Sequence, residues 1–219
     1  MQYVLGSYLI GPLVGKEIGD NQLCSKSCID FGKKVLREDD IRGKTILEVG
    51  SRNVNGSLRD ICMEFNPKEY IGIDIEEGSG VDSKVSVYHL PDFFQERFFD
   101  LIICTEVLEH LSMWNTAIQH MEMVLKHGGN LLLTTRSFGF KKHDYPNDYW
   151  RFEIEDIVNI FKSYDFLRLE KDNEKEPGVF LFARKPPKIE ERTYWYRESL
   201  EMYSMEKEKR ITTSELCRG

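Results

Sequence analysis

The stretch Lys44-Thr-Ile-Leu-Glu-Val-Gly50-Ser-Arg-Asn-Val-Asn-Gly56 decides how the chain is read. A short apolar run ends in a glycine, which permits a tight turn and a close approach of backbone to a ligand. Gly56 then allows a helix to start without steric interference, and Leu58, Ile61, Cys62 and Phe65 fall on one face of that helix. Pro67 closes it, and Tyr70-Ile-Gly-Ile-Asp74 reads as a second strand ending in an acid. Strand, turn, helix, strand is a βαβ unit, in which ligands bind at the carboxyl ends of the strands. Asp74 lies 24 residues past Gly50, where a carboxylate can accept hydrogen bonds from two ribose hydroxyls. The pairing of glycine turn and strand-terminal acid predicts a nucleoside cofactor. Arg52 stands where a dinucleotide fingerprint needs its second glycine, and no Gly-Lys-Ser/Thr ending of a P-loop follows.

Outward from this unit, the pattern continues as α/β. Cys24, Cys28, Phe31 and Val35 share one face of a helix expected over 21–39. A third strand is expected over 85–90, and Phe99-Asp-Leu-Ile-Ile-Cys104 reads as a fourth, apolar enough to be buried on both faces. Leu111, Trp114, Ile118, Met121 and Leu125 mark a helix over 112–126, and Asn130 to Thr135 a fifth strand. An aromatic loop, a helix over 153–161 and two strands over 166–171 and 179–184 follow, the last pair as an antiparallel edge. Beyond Pro186 and Pro187, residues 190–210 read as an exposed helix with Tyr196, Leu200 and Tyr203 on one side. These readings divide the chain into an N-terminal helical extension (1–43), a core domain (44–184) and a C-terminal helical extension and tail (185–219).

Several motifs together resemble the class I S-adenosylmethionine-dependent methyltransferases. Ile46-Leu-Glu-Val-Gly-Ser51 looks like their first motif and Asp74 like their ribose-binding acid. Phe99 to Leu111, with Cys-Thr-Glu-Val-Leu-Glu-His at its end, looks like the fourth-strand motif, and Lys126-His-Gly-Gly-Asn-Leu-Leu-Leu133 like the turn before the fifth strand. The resemblance runs from about residue 42 to 184 and is closest to the small-substrate branch called type 11. It implies a Rossmann-like, seven-stranded, mostly parallel sheet with helices on both faces and an antiparallel C-terminal edge. It implies S-adenosylmethionine as cofactor, with Glu48, Gly50 and Ser51 along its methionine and ribose portion and Asp74 and Ile75 on ribose and adenine. Thr105, Glu106 and His110 would stand beside it after strand four. Where relatives carry an adenine-reading acid, this chain offers Val87, Tyr88 and His89, so Tyr88 or a backbone group is expected to substitute.

The loop His143-Asp-Tyr-Pro-Asn-Asp-Tyr-Trp-Arg-Phe152 resembles one found in relatives from sugar, polysaccharide and natural-product pathways. Methyl transfer to an O–H or N–H group needs a base, and His143 is the preferred candidate, with His110 second. Tyr145, Asp148, Tyr149 and Arg151 are expected to shape the substrate pocket, the aromatic rings by stacking and Arg151 by pairing an acid. Structural roles stand beside these: Arg151 could pair with Asp148 or Glu155, and Trp150 could simply pin the loop.

The net charge of −7 hides an uneven distribution: residues 1–43 sum to zero, 185–219 to +1, and 44–184 to −8. Such a core is not a polyanion track, and nucleic acid is an unlikely partner, although Arg136, Lys141 and Lys142 could hold one phosphate. Five scattered cysteines fit a reduced, cytoplasmic setting, and there is no apolar run long enough for a membrane span. The histidines are dispersed and no Cys/His cluster has ligand spacing, so no metal is expected. The reading is transfer of a methyl group to a small polar acceptor, a sugar or biosynthetic intermediate, with O-methylation favoured because no amide-reading Asn/Asp-Pro-Pro-Tyr signature follows strand four. The alternatives are an RNA or protein methyltransferase docking through Arg192, Arg197, Lys207, Lys209 and Arg210, and a non-catalytic binding or assembly protein. A homodimer through either helical extension is a further expectation.

Overall fold

The computed structural model describes residues 26–54, 56–143, 147–190 and 192–217. In chain order its elements are α1 (Lys26–Val35), α2 (Glu38–Ile41), β1 (Thr45–Val49), α3 (Arg59–Glu64), β2 (Glu69–Asp74), β3 (Ser83–Lys84), α4 (Leu90–Phe93), β4 (Phe99–Thr105) and α5 (Trp114–Val124). They continue as β5 (Leu125–Arg136), β6 (Trp150–Arg151), α6 (Ile154–Ile160), β7 (Asp165–Lys171), β8 (Gly178–Arg184), α7 (Arg192–Glu198), β9 (Met202–Ser204), β10 (Lys209–Ile211) and α8 (Thr213–Leu216).

Seven strands form one sheet in the order β3-β2-β1-β4-β5-β8-β7. The first five are parallel neighbours, and β8 and β7 add an antiparallel edge. The apolar runs at its centre do not alternate because both faces are covered. Leu47, Val49, Ile102, Cys104, Leu131 and Leu133 point to a core shared with α5 and α6, including Trp114, Met121 and Ile157. Ile46, Leu101, Ile103 and Leu132, one residue out of step, point to the opposite core with α1 and α3, including Phe31, Leu58 and Cys62. Helices on both faces of a mostly parallel sheet follow from this double burial. Cys28, Phe31 and Val35 are buried on α1 as their spacing requires, whereas Cys24 lies outside the described residues.

Two expected elements differ. The third strand is only Ser83–Lys84, and the segment expected to extend over 85–90 turns instead into a 3₁₀ turn at Val87–His89 and then α4. The reason is local: the Ser86 hydroxyl accepts the Tyr88 amide, and Pro91 occupies the first turn of α4, both signals for a helix start.

The second difference is C-terminal. The expected 190–210 helix is a seven-residue helix followed by a hairpin, and β9 joins β10 and β6 in a three-stranded sheet. Met202 and Ser204 are buried on either side of the less buried Tyr203, a period of two that belongs to a strand. This arm docks on the core. Arg197 is buried and forms a two-pronged ion pair with Glu122 on α5, at 2.7 and 2.8 Å, while its Nε donates to the Ile160 carbonyl. Leu200 packs on the main core and the Tyr203 ring meets Phe138, so both side chains make contacts within the chain.

The arm should therefore be held by the Arg197–Glu122 pair. Replacing Arg197 by Met leaves a buried carboxylate unpaired and should cost about 3–5 kcal/mol in urea unfolding. Pairing that change with Glu122→Leu should restore most of the loss, because two apolar side chains have no buried charge to strand.

Candidate active site

β1 and β4 are neighbours, with Val49 opposite Cys104, so the turns that leave their carboxyl ends lie side by side. Gly50 takes a left-handed φ of +73°, and a Cβ there would come within 2.3 Å of Val107 Cγ2 in the turn after β4. Its amide and that of Ser51 donate to the Ile73 carbonyl of β2, at 2.9 and 3.0 Å, drawing the turn across the sheet edge. A pocket opens here. Its wall takes in Glu48, Gly50, Ser51, Asp74 and Ile75 on one side, and Thr105, Glu106 and His110 on the other. Eight sequence-assigned residues thus meet around one cavity.

The residues present fit a nucleoside cofactor. Asp74 ends β2, and its two carboxylate oxygens accept the Arg52 and Glu76 amides at 3.3 and 3.0 Å, which orients the group and leaves further lone pairs at the pocket wall. The Ser51 hydroxyl is buried with no hydrogen-bond partner among the described residues. Ile73, Val87 and Leu111 supply apolar lining suited to a base.

Tyr88 does not join them. Its hydroxyl accepts the Met113 amide at 3.0 Å, and the pocket is lined by Val85, Ser86 and Val87 instead. Val87 is among the residues expected here, whereas Val85 and Ser86 are not, because a strand is expected where a helix cap turns the chain. Ser86, a helix-capping residue type followed at a short distance by Pro91, was the available signal.

Glu106 is a residue of the pocket wall with partners of its own. It has a left-handed φ of +56°, and its carboxylate is buried in an ion pair with Arg136 and accepts the Thr134 hydroxyl at 2.8 Å. Burial raises its pKa well above the carboxylate range, with the Arg136 charge opposing. Arg136 is itself buried and also pairs with Asp172 at 3.2 Å, so it is not the exposed phosphate spot the sequence suggested.

The loop after β5 brings His143, Asp148, Tyr149 and Arg151 together, while Tyr145 lies outside the described residues. Arg151 is fully buried. It grips Asp148 with two nitrogens, at 2.5 and 2.7 Å, and donates to the Trp150, Phe140 and Lys141 carbonyls. Burial alone would raise the Asp148 carboxyl, but hydrogen bonds from Arg151 and His143 outweigh it and hold the group well below its ordinary range. Of the two readings of Arg151, the structure shows the pairing with Asp148. Asp148 Oδ2 lies 3.1 Å from His143 Nδ1 and also accepts the His143 amide at 3.0 Å. The His143 ring meets His110 edge to face with centroids 4.7 Å apart. Tyr149 is half-buried against the main core, and its amide donates to the Glu109 carbonyl at 2.9 Å.

Glu48 carries a charge-sensitive signature. Burial pushes its carboxyl up to about 7 from 4.5, against hydrogen bonds from Tyr70 and Ser57. Below about pH 4.5 the folded and unfolded chains both hold this proton. Between about 4.5 and 7 only the folded chain keeps it, so this group's contribution to stability falls as pH rises through that window, by up to about 3 kcal/mol. Glu48→Gln should remove that slope: urea midpoints of the wild-type protein should fall relative to the variant between pH 5 and 8.

A family model described as a methyltransferase domain matches residues 22–173. No curated protein matches the chain in sequence. Among solved structures, 1,6-didemethyltoxoflavin-N1-methyltransferase from Burkholderia thailandensis superposes with a TM-score of 0.59 at 13% identity, covering 73% of this chain and 79% of that one. The N-methyltransferase NodS of Bradyrhizobium japonicum WM9 gives 0.51 at 17% identity, covering 72% and 95%. The [4+2]-cyclase SpnF gives 0.56 at 18% identity, covering 73% and 80%. Identities this low speak for a shared fold alone. Because the family match spans more than half of the chain, the protein belongs to the methyltransferase domain family, and it is a class I S-adenosylmethionine-dependent methyltransferase.

Proposed function

We propose that the chain methylates a small polar acceptor at a hydroxyl group, with a sugar or a related biosynthetic intermediate as the substrate class. The observation that carries this reading is His110. Its Nε2 is buried, has no hydrogen-bond partner among the described residues, and belongs to a residue of the pocket wall beside Thr105 and Glu106. A hydroxyl must give up a proton when it is methylated, and the His110–His143 pair supplies the nitrogens that can serve it. The bound cofactor supplies an electrophilic methyl group on a sulfonium. Asp74 and the Gly50 turn hold the nucleoside end, and the rings of His110 and His143 stand on the acceptor side.

A macromolecular acceptor draws less support, because much of the proposed basic arm is occupied. Arg197 is buried against Glu122, Arg210 pairs with Asp156, and Lys207 lies 3.0 Å from Glu206.

Calorimetric titration with S-adenosylmethionine and S-adenosylhomocysteine should give one site per chain. Asp74→Ala should weaken it about 10- to 100-fold, the worth of charge-assisted hydrogen bonds to the ribose; equal affinity in the variant would overturn this placement. A methyl-transfer screen over hydroxylated and amino sugars tests the acceptor class. With the acceptor so found, His143→Ala should slow turnover about 100-fold or more while cofactor affinity stays nearly constant. Unchanged turnover would remove His143 from the reaction.

A further inference from the structure

Behind His110, which lines the pocket wall, Glu109, His110 and His143 each bring one potential ligand atom to within 4.8 Å of the others. Glu109 is fully buried: Oε2 accepts the Thr135 hydroxyl at 2.9 Å, and Oε1 has no hydrogen-bond partner among the described residues. His110 Nδ1 faces the Asn147 carbonyl, which can only accept, so the ring hydrogen sits on Nδ1 and a lone pair is left on Nε2. That nitrogen too is buried and unpartnered among the described residues. A buried carboxylate oxygen and a buried imidazole lone pair are both acceptors, and without a proton or a metal ion between them neither satisfies the other. Nearby positive charge is committed elsewhere, since Arg136 pairs with Glu106 and Asp172 and Arg151 with Asp148. Together the two orphaned acceptors call for a cation.

We propose that Glu109, His110 and His143 hold a divalent first-row transition-metal ion at the wall of the methyl-transfer pocket. Two imidazoles and one carboxylate are a donor set for zinc, cobalt, manganese or iron, and three protein ligands leave coordination positions open. Ligands about 2.1 Å from an ion stand roughly 3 to 3.5 Å from one another, so side-chain movements of about 1 Å close the set. The surroundings already orient it. The Asn147 carbonyl fixes the His110 tautomer, Asp148 Oδ2 lies 3.1 Å from His143 Nδ1, and Thr135 holds the far oxygen of Glu109. Asp148 is in turn clamped by Arg151, which gives the buried pair in the loop a purpose.

The site refines the role of the two histidines from proton acceptors to ligands. An acceptor hydroxyl on an open position would lose its proton to solvent water more readily than a free hydroxyl. Only that consequence rests on the proposed O-methylation; ion binding does not.

The test is a titration of the full chain, stripped with chelator, with Co²⁺ followed by visible absorption and calorimetry. One ion per chain with ligand-field bands is expected. Glu109→Gln and His143→Gln should each weaken binding by at least about tenfold, with thermal melting and S-adenosylhomocysteine binding retained in at least one of them as the check on folding. A folded wild-type chain that binds none of Co²⁺, Zn²⁺ or Mn²⁺, or a Glu109→Gln variant that binds Co²⁺ as tightly as wild type, would overturn the proposal; a proton shared by Glu109 and His110 gives that result. Ion binding without methyl transfer to any hydroxyl acceptor would sink the acceptor reading and leave the site standing. A chain that methylates a hydroxyl acceptor yet binds none of these ions would do the reverse.

Discussion

The pocket depends on one constraint: β1 and β4 must end level, and the chain must leave both through left-handed residues. Gly50 does so freely, while Glu106 does so at φ +56°, a region that costs a residue with a Cβ about 1 kcal/mol or more. What holds Glu106 there is visible. Its amide donates to the Thr134 carbonyl at 3.1 Å, and its carboxylate is fastened to Arg136 and the Thr134 hydroxyl. The strained turn is thus tied to β5, and Val107 drops into the space that Gly50 leaves by having no side chain. Cofactor turn, post-strand turn and sheet edge are mechanically one object.

The parts of this arrangement that obey short-range rules were legible in the chain. Gly50, Asp74 and the apolar runs of β1 and β4 announce themselves because backbone geometry and double-sided burial demand those residue types. Residues whose role depends on a distant partner were not. Arg151 reads equally well as a substrate clamp or a structural cation, and only its burial against Asp148 decides. Glu106 reads as a pocket acid, yet its partner is Arg136 on the next strand. The 85–90 and 190–210 segments were misread for a different reason. Helix and strand spacings coincide over short apolar stretches, and the deciding features were a serine cap with a nearby proline, and a strand partner, β6, about fifty residues away in sequence.

The C-terminal arm shows how an apparent appendage becomes part of the domain. β6 is only Trp150–Arg151, too short to stand alone, and it is completed by β9 from the arm. Trp150 is buried and donates its indole N–H to the Leu111 carbonyl, next to the residues of the pocket wall. The arm, the loop after β5 and the turn after β4 therefore lean on each other, and a change in the arm reaches the pocket wall at Leu111 through two contacts.

This chain of supports explains why buried charge accumulates where it does. Asp148, Arg151, Glu109, Arg136 and Glu106 are all buried within the elements around the two histidines. Buried ions are poor stabilisers, since replacing them with apolar residues is often neutral or better. They are better justified as positioning devices, because a bidentate pair fixes angles that apolar packing leaves loose. Asp148 illustrates the point: one of its oxygens accepts from Arg151 and from the His143 amide and lies 3.1 Å from His143 Nδ1, which sets the backbone that carries the ring. A loop held this firmly has a fixed imidazole as its product, and a fixed imidazole is what either a proton acceptor or a metal ligand requires.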